Sequence, residues 1–158
     1  MASVKSAYGS SNQAITITLT SLGNTDARAS TSVDNSSNTF LDALVFLKIK
    51  SASSSVSAAG YANVYAYGSA DGGTTFSDGV TGTDAGFTPT NPPNLRLIGV
   101  INMVADSTTY EGGPFSVASA FGGVLPEEWG IVVMNESGAS FDGTTASAWY
   151  QGVYASVA

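Results

Sequence analysis

The sequence predicts an all-β protein: a two-sheet antiparallel sandwich of about eight strands with jelly-roll or Greek-key connections. Three observations lead there. Short apolar stretches alternate with period two, as Ile15, Ile17 and Leu19 do against Thr16, Thr18 and Thr20, which is the repeat of a half-buried strand. Clusters of Gly, Asn, Asp and Pro separate these stretches, and such residues favour turns. No segment places apolar residues at i, i+3, i+4 and i+7 over three turns, so no long helix is expected.

Residues 1–13 read as a polar N-terminal arm carrying Lys5 and Tyr8, expected to order only on a neighbouring subunit. Residues 14–158 read as one domain, consistent with the length. Ala14–Thr20 is the first strand, ended by Gly23-Asn24. Arg28–Val33 is a polar strand followed by the loop Asp34–Asn38. Leu41–Lys50 is the clearest core strand. Val45, Leu47 and Ile49 share one face; Leu44, Phe46, Lys48 and Lys50 share the other. Its start should therefore be covered on both faces and its end should reach solvent. In Tyr61–Tyr67 the three tyrosines Tyr61, Tyr65 and Tyr67 line one face, opposite Ala62, Val64 and Ala66.

Gly68–Pro93 is a long irregular stretch, a length that is usually functional or mobile. Leu95–Val104 has apolar residues at both parities and reads as a central strand, with Gly99 at a bulge or close approach. Gly112-Gly113-Pro114 reads as a turn, Phe115–Phe121 as a strand and Pro126–Glu128 as a single helical turn. Trp129–Asn135 is a second buried strand, and Ser147–Ala155 closes the fold.

Composition excludes several functions. The chain has 158 residues with 12 Asp and Glu against 5 Lys and Arg, and neither His nor Cys. Disulfides, thiolate chemistry, an ordinary zinc site and a Ser-His-Asp triad are excluded. A net charge of −7 with scattered cations does not suit a nucleic-acid groove. No apolar run approaches a membrane span. The N-terminus lacks the apolar stretch of a secretory signal, so synthesis in a cytosol is expected.

Candidate chemistry is sparse. Glu111, Glu127, Glu128, Glu136 and the aspartates are available to hydrolysis, but nothing in their spacing selects a facing pair. Asp71, Asp78 and Asp84 lie among glycines. They match no EF-hand loop, and Asp-Gly turns explain them better than calcium does. No Gly-x-Ser-x-Gly elbow or phosphate-binding glycine motif occurs. Asn35 and Asn135 match Asn-x-Ser, a motif that needs a secreted context. No catalytic, metal or cofactor residue is expected. The aromatics remain as candidate interface residues: Tyr8, Tyr61, Tyr65, Tyr67, Trp149 and Tyr154, with Lys5 on the arm.

Four stretches carry a resemblance. They are Ala27–Thr31 with Val33-Asp34-Asn35; Val64–Gly73; Phe121–Pro126 with Trp129–Asn135; and Tyr150–Tyr154. Together they resemble small virion structural proteins of tailed bacteriophages, over most of the chain. The resemblance implies a jelly-roll-like fold and a capsid cement or decoration role, or a place on the tail, and names no catalytic residue. It implies the major capsid protein and further copies of this chain as partners, with a trimer favoured, and a virion location after synthesis in the bacterial cytoplasm. Composition agrees. Ser, Thr and Gly supply 57 of the 158 residues, and such small side chains pack against a neighbour at low entropy cost. The alternative reading is a tail or fibre component that binds a receptor or glycan, for which the tyrosine stripe and the Asp/Gly loop would serve.

Overall fold

The computed structural model describes residues 3–91 and 93–157; Met1, Ala2, Pro92 and Ala158, at the ends of the expected arm, loop and domain, lie outside them. Eleven strands are described: β1 (Val4–Tyr8), β2 (Gln13–Ala14), β3 (Ala27–Ala29), β4 (Val33–Asp34), β5 (Asp42–Ser51), β6 (Tyr61–Ser69), β7 (Ala85–Phe87), β8 (Arg96–Asn102), β9 (Thr109–Ser116), β10 (Glu128–Glu136) and β11 (Phe141–Val157). The expected two-sheet antiparallel sandwich is present. One sheet runs β1-β11-β5-β9, with β2 also on β11; the other runs β7-β3-β10-β6-β8, with β4 also on β10. If the short β2, β4 and β7 are set aside, the remaining eight strands pass from sheet to sheet at every step except β6 to β8, which pair as neighbours, and this is jelly-roll order.

The strands with the clearest alternation form the core. Along β5, Ala43, Val45, Leu47 and Ile49 are fully buried while Leu44, Phe46, Lys48 and Lys50 are half-buried on the opposite face. The outer face is thus not covered at its start, contrary to expectation. Across the sandwich these meet Val64 and Ala66 of β6 and Trp129, Ile131 and Val133 of β10 in one apolar cluster. Trp129 packs edge-on against Tyr150 of β11 with ring centroids 5.2 Å apart, joining the two sheets. Full burial of side chains this size contributes roughly 1.5–3 kcal/mol each.

Several expected elements shift, each for a physical reason. Ile15 and Leu19 are buried and Thr16 and Thr18 exposed, but 15–20 is not a ladder strand. The Ile15 N–H donates to Ala148 O of one sheet (3.0 Å), and Thr16 O accepts from Thr31 N beside the other (2.9 Å). The segment is a strap across the open side of the sandwich. The predicted strand 28–33 is two short strands, β3 and β4, on β10. β8 is an edge strand, not a central one, and Leu97 and Val100 are exposed. Its bulge falls between Gly99 and Leu97. A Cβ on Gly99 would lie 2.3 Å from the Phe115 ring, so the expected close approach is present too.

Gly112-Gly113-Pro114 lies inside β9, as a bulge opposite Phe46, rather than at a turn. Residues 118–121 form a 3-10 turn in place of the end of the expected strand, and no helical turn forms at 126–128. The arm also differs. Val4–Tyr8 pairs with the end of the chain's own β11, from Val4 opposite Val157 to Tyr8 opposite Val153.

The long stretch after β6 folds back over the outer face of β3, β6 and β10. Val80 and Leu95 from it are buried with Ala29, Tyr67 and Val132, and Phe76 and Phe87 pack against them. Tyr67 is fully buried there, its ring edge-on to Phe76 at 5.3 Å and its hydroxyl donating to Ser30 O at 2.7 Å. A Cβ on Gly130 would lie 2.3 Å from this ring, so glycine lets the tyrosine lie flat across β10. Burial pushes the phenol up to about 12.

The aspartates of this stretch pin it down. The Asp84 carboxylate accepts from Arg28 Nε (2.6 Å), Thr18 Oγ1 (2.6 Å) and Thr18 N (3.0 Å). Asp78 accepts from Thr90 Oγ1 (2.6 Å), and Asp71 from Ser69 Oγ (2.6 Å) and Thr75 N (2.8 Å).

Candidate interaction surface

The two sheets differ in what lies outside them. The outer face of the β3-β10-β6 sheet is roofed by Phe76, Val80 and Leu95 of the stretch after β6, with Phe87 of β7 beside them. Among the described residues, buried apolar side chains cluster between the sheets and under this roof. No such cluster covers the outer face of β1-β11-β5-β9. That face carries Leu44 and Phe46 from β5 and Trp149 and Val153 from β11. It continues onto Tyr8 and Val4 of β1, because cross-strand partners share a face.

Phe46 and Trp149 are direct partners and stack in parallel, with ring centroids 5.9 Å apart and an interplanar angle of 8°. They form a rigid aromatic platform, half open to solvent. A shallow hollow of about 390 Å³ beside Trp149 is lined by Asn12, Ala14, Ser147 and Ala148. The charges on this face are held by partners: at the far end Lys48 pairs with Glu111 (3.2 Å) and Lys50 with Asp142 (3.3 Å), and at the near end Asp42 accepts from Ser116 Oγ (2.7 Å) and Ala118 N (2.8 Å). The Thr144 hydroxyl and N–H, helped by Lys50, hold Asp142 down at about 2.

The sequence candidates divide between surfaces. Tyr8 and Trp149 share the open outer face, Trp149 in the platform and Tyr8 further along, opposite Val153. Tyr154 and Lys5 lie on the opposite face of the terminal ribbon, Tyr154 turned toward Phe40 at a centroid distance of 6.3 Å. Tyr61 and Tyr65 sit on the other sheet's outer face, at the uncovered margin of the roof. The Asn63 amide donates to Tyr65 Oη (3.3 Å) beside a cleft of about 400 Å³ that includes Thr88, Asn91 and Glu136. Burial raises the Tyr65 phenol. Tyr67 leaves the group altogether, since it has no exposed surface.

Phe46, Leu44 and Val153 were not among the candidates. For Phe46 and Leu44 the signal that would have found them is the charged end of their own β5 face, Lys48 and Lys50, which marks that face as wet; Val153 follows only from the β5–β11 register.

Asn35 and Asn135 are both buried. The Asn35 amide donates to Phe40 O, and that of Asn135 to Leu22 O and Ala139 O. The Asn-x-Ser matches are therefore internal fasteners in the folded chain. No three of Asp and Glu converge as metal ligands among the described residues, and no helix is long and apolar enough to cross a membrane. The fold and this face together define an all-β jelly-roll protein with an open aromatic sheet face. No family profile, curated protein or solved structure matches the chain.

Proposed function

We propose that the chain is a non-enzymatic virion structural protein of a tailed bacteriophage, a capsid cement or decoration protein that docks its aromatic platform on the head lattice. One observation carries the reading: among the described residues, one of the two outer sheet faces is roofed, and the open one bears the Phe46–Trp149 stack. A flat aromatic surface inside a weakly charged rim is the composition of an interface centre. The sequence resemblance supplies the context, and jelly rolls recur among capsid proteins, although fold alone does not fix function. The major capsid protein is the partner in this reading.

Cryo-electron microscopy of purified particles tests it. Density for this chain at regular lattice positions, with Trp149 at the contact, is the expected result; its absence from the head removes the reading. Trp149→Ala should weaken co-sedimentation with capsid shells by about thirty-fold, the loss of a 2 kcal/mol hot spot. A second reading, a tail component binding glycan, draws on the cleft at Asn63, Tyr65 and Glu136. It predicts tail density and glycan binding that Tyr65→Ala removes.

A further inference from the structure

The terminal ribbon is unfinished as a sheet. β5 reaches only as far as Asp42, opposite Val153 of β11. Beyond that point residues 154–157 pair with β1 alone. The result is a two-stranded ribbon that leaves the body of the sandwich, with Val4 73%, Tyr8 59% and Val157 72% exposed. Two strands alone are marginal in water and gain from a third. An unpaired strand edge is a ready template for one.

The hydrogen-bond parity says which backbone groups are on offer. Gly9 N donates to Gly152 O (2.9 Å), in register with the β1–β11 ladder. Residues of the same parity, Lys5 and Ala7, therefore aim their N–H and C=O at β11. Val4, Ser6 and Tyr8 aim theirs outward. We infer that this outward edge pairs antiparallel with β1 of a second copy of the chain, about a two-fold axis at Ser6.

That register places Ser6 opposite Ser6 of the copy and Val4 opposite its Tyr8. All three outward residues then form hydrogen-bonded pairs, each exchanging two bonds. Lys5 falls opposite Ala7, so no lysine meets a lysine. The other open edge, on β11, offers only Ala155 and Val157, beside Asp42. Charge favours the same contact. All twelve carboxylates of this acidic chain lie between Asp26 and Asp142, and the ribbon carries none. Two copies thus meet at the part of the surface with least mutual repulsion.

The axis is perpendicular to the sheet, so β9-β5-β11-β1 continues into the same four strands of the copy. The two aromatic platforms then lie on one side of a single eight-stranded sheet. The assembly unit is a dimer in place of the trimer suggested by the resemblance, and this inference does not depend on what the platforms dock on.

Sedimentation velocity of the full chain from about 1 to 100 μM should show a species of twice the 16.0 kDa chain mass. Ser6→Pro removes an outward N–H and spares those facing β11; it should give folded monomer whose melting temperature matches that of wild type diluted below the dimerisation range. The chain has no cysteine, which allows a second test independent of that variant. Ser6→Cys places two thiols on Cα atoms about 5.5 Å apart, within disulfide reach. It should cross-link under mild oxidation at least about ten-fold faster than Ala7→Cys, which faces Lys5 of the copy. A wild-type monomer at 100 μM, a Ser6→Pro dimer, or equal cross-linking at the two positions overturns the inference.

Discussion

Replacing Tyr67 by Phe removes one oxygen from beneath the roof and leaves the ring in place. The hydroxyl donates to Ser30 O at 2.7 Å, and both residues are without exposed surface. Losing a buried donor leaves the carbonyl short of a partner, which costs about 1–2 kcal/mol. A second consequence follows from protonation. The folded phenol is pushed up to about 12 by burial, above its ordinary value of 10.0. An acid whose folded pKa is raised contributes its stabilisation below the unfolded value, and that contribution is lost as pH rises from about 10 to 12. Two pKa units correspond to about 2.7 kcal/mol.

Urea unfolding followed by tryptophan fluorescence should therefore place Tyr67→Phe about 1–2 kcal/mol below wild type at pH 7. The difference should close, then reverse, as pH approaches 12. Tyr65 and Tyr150 are also raised by burial, so a shallower alkaline slope persists in the variant. Parallel pH profiles for the two proteins, or a variant within 0.5 kcal/mol of wild type at pH 7, would refute the assignment of Tyr67 as a buried, hydrogen-bonded clamp.

Asp84→Ala should loosen the roof and the strap together, because the carboxylate holds both Arg28 and Thr18. A loss of about 2 kcal/mol, as for a charge-assisted hydrogen bond, is expected in urea unfolding, with faster amide exchange around residues 80–87. Burial pushes Asp84 up, but the bonds from Arg28 and Thr18 outweigh it and leave it lowered. Asp71 is held at about 2 by the Ser69 hydroxyl and the Thr75 N–H, and Asp142 at about 2 by Thr144. Groups lowered in the folded state stabilise it above their ordinary value near 3.8, and that support is lost as pH falls toward 2. Circular dichroism melts should show the midpoint falling across that window. Gly99→Val should cost about 1–3 kcal/mol by overpacking against Phe115, with Phe115→Ala partly restoring stability in the double variant.

The central strands were legible because local pattern and tertiary environment agree there. Ala43–Ile49, Ala62–Ala66 and Trp129–Val133 each place apolar residues where the sandwich needs them. Patterns misled where one sequence signal serves two geometries. Ile15 and Leu19 alternate with threonines as a strand would, yet their backbone bonds go to both sheets. Apolar residues at both parities of β8 suggested burial on both sides, but the strand is at an edge and leaves Leu97 and Val100 exposed. The candidate surface was least legible. Tyr65, Tyr67 and Trp149 all read as aromatics on outward faces. Which outward face receives a roof depends on where Phe76, Val80 and Leu95 land, a contact made across the whole domain.

Pairing of Val4 with Val157 brings the start of β1 and the end of β11 to one corner, with the two backbones about 5 Å apart. A bulky label attached at Val4 or at Val157 would sit at the same spot, crowding the free edge of β1 in either case. A short linker from Val157 back to Val4 would close the described strands into a ring without disturbing the sandwich. New termini would then be tolerated between β5 and β6, where residues 52–59 are mostly exposed and outside regular structure.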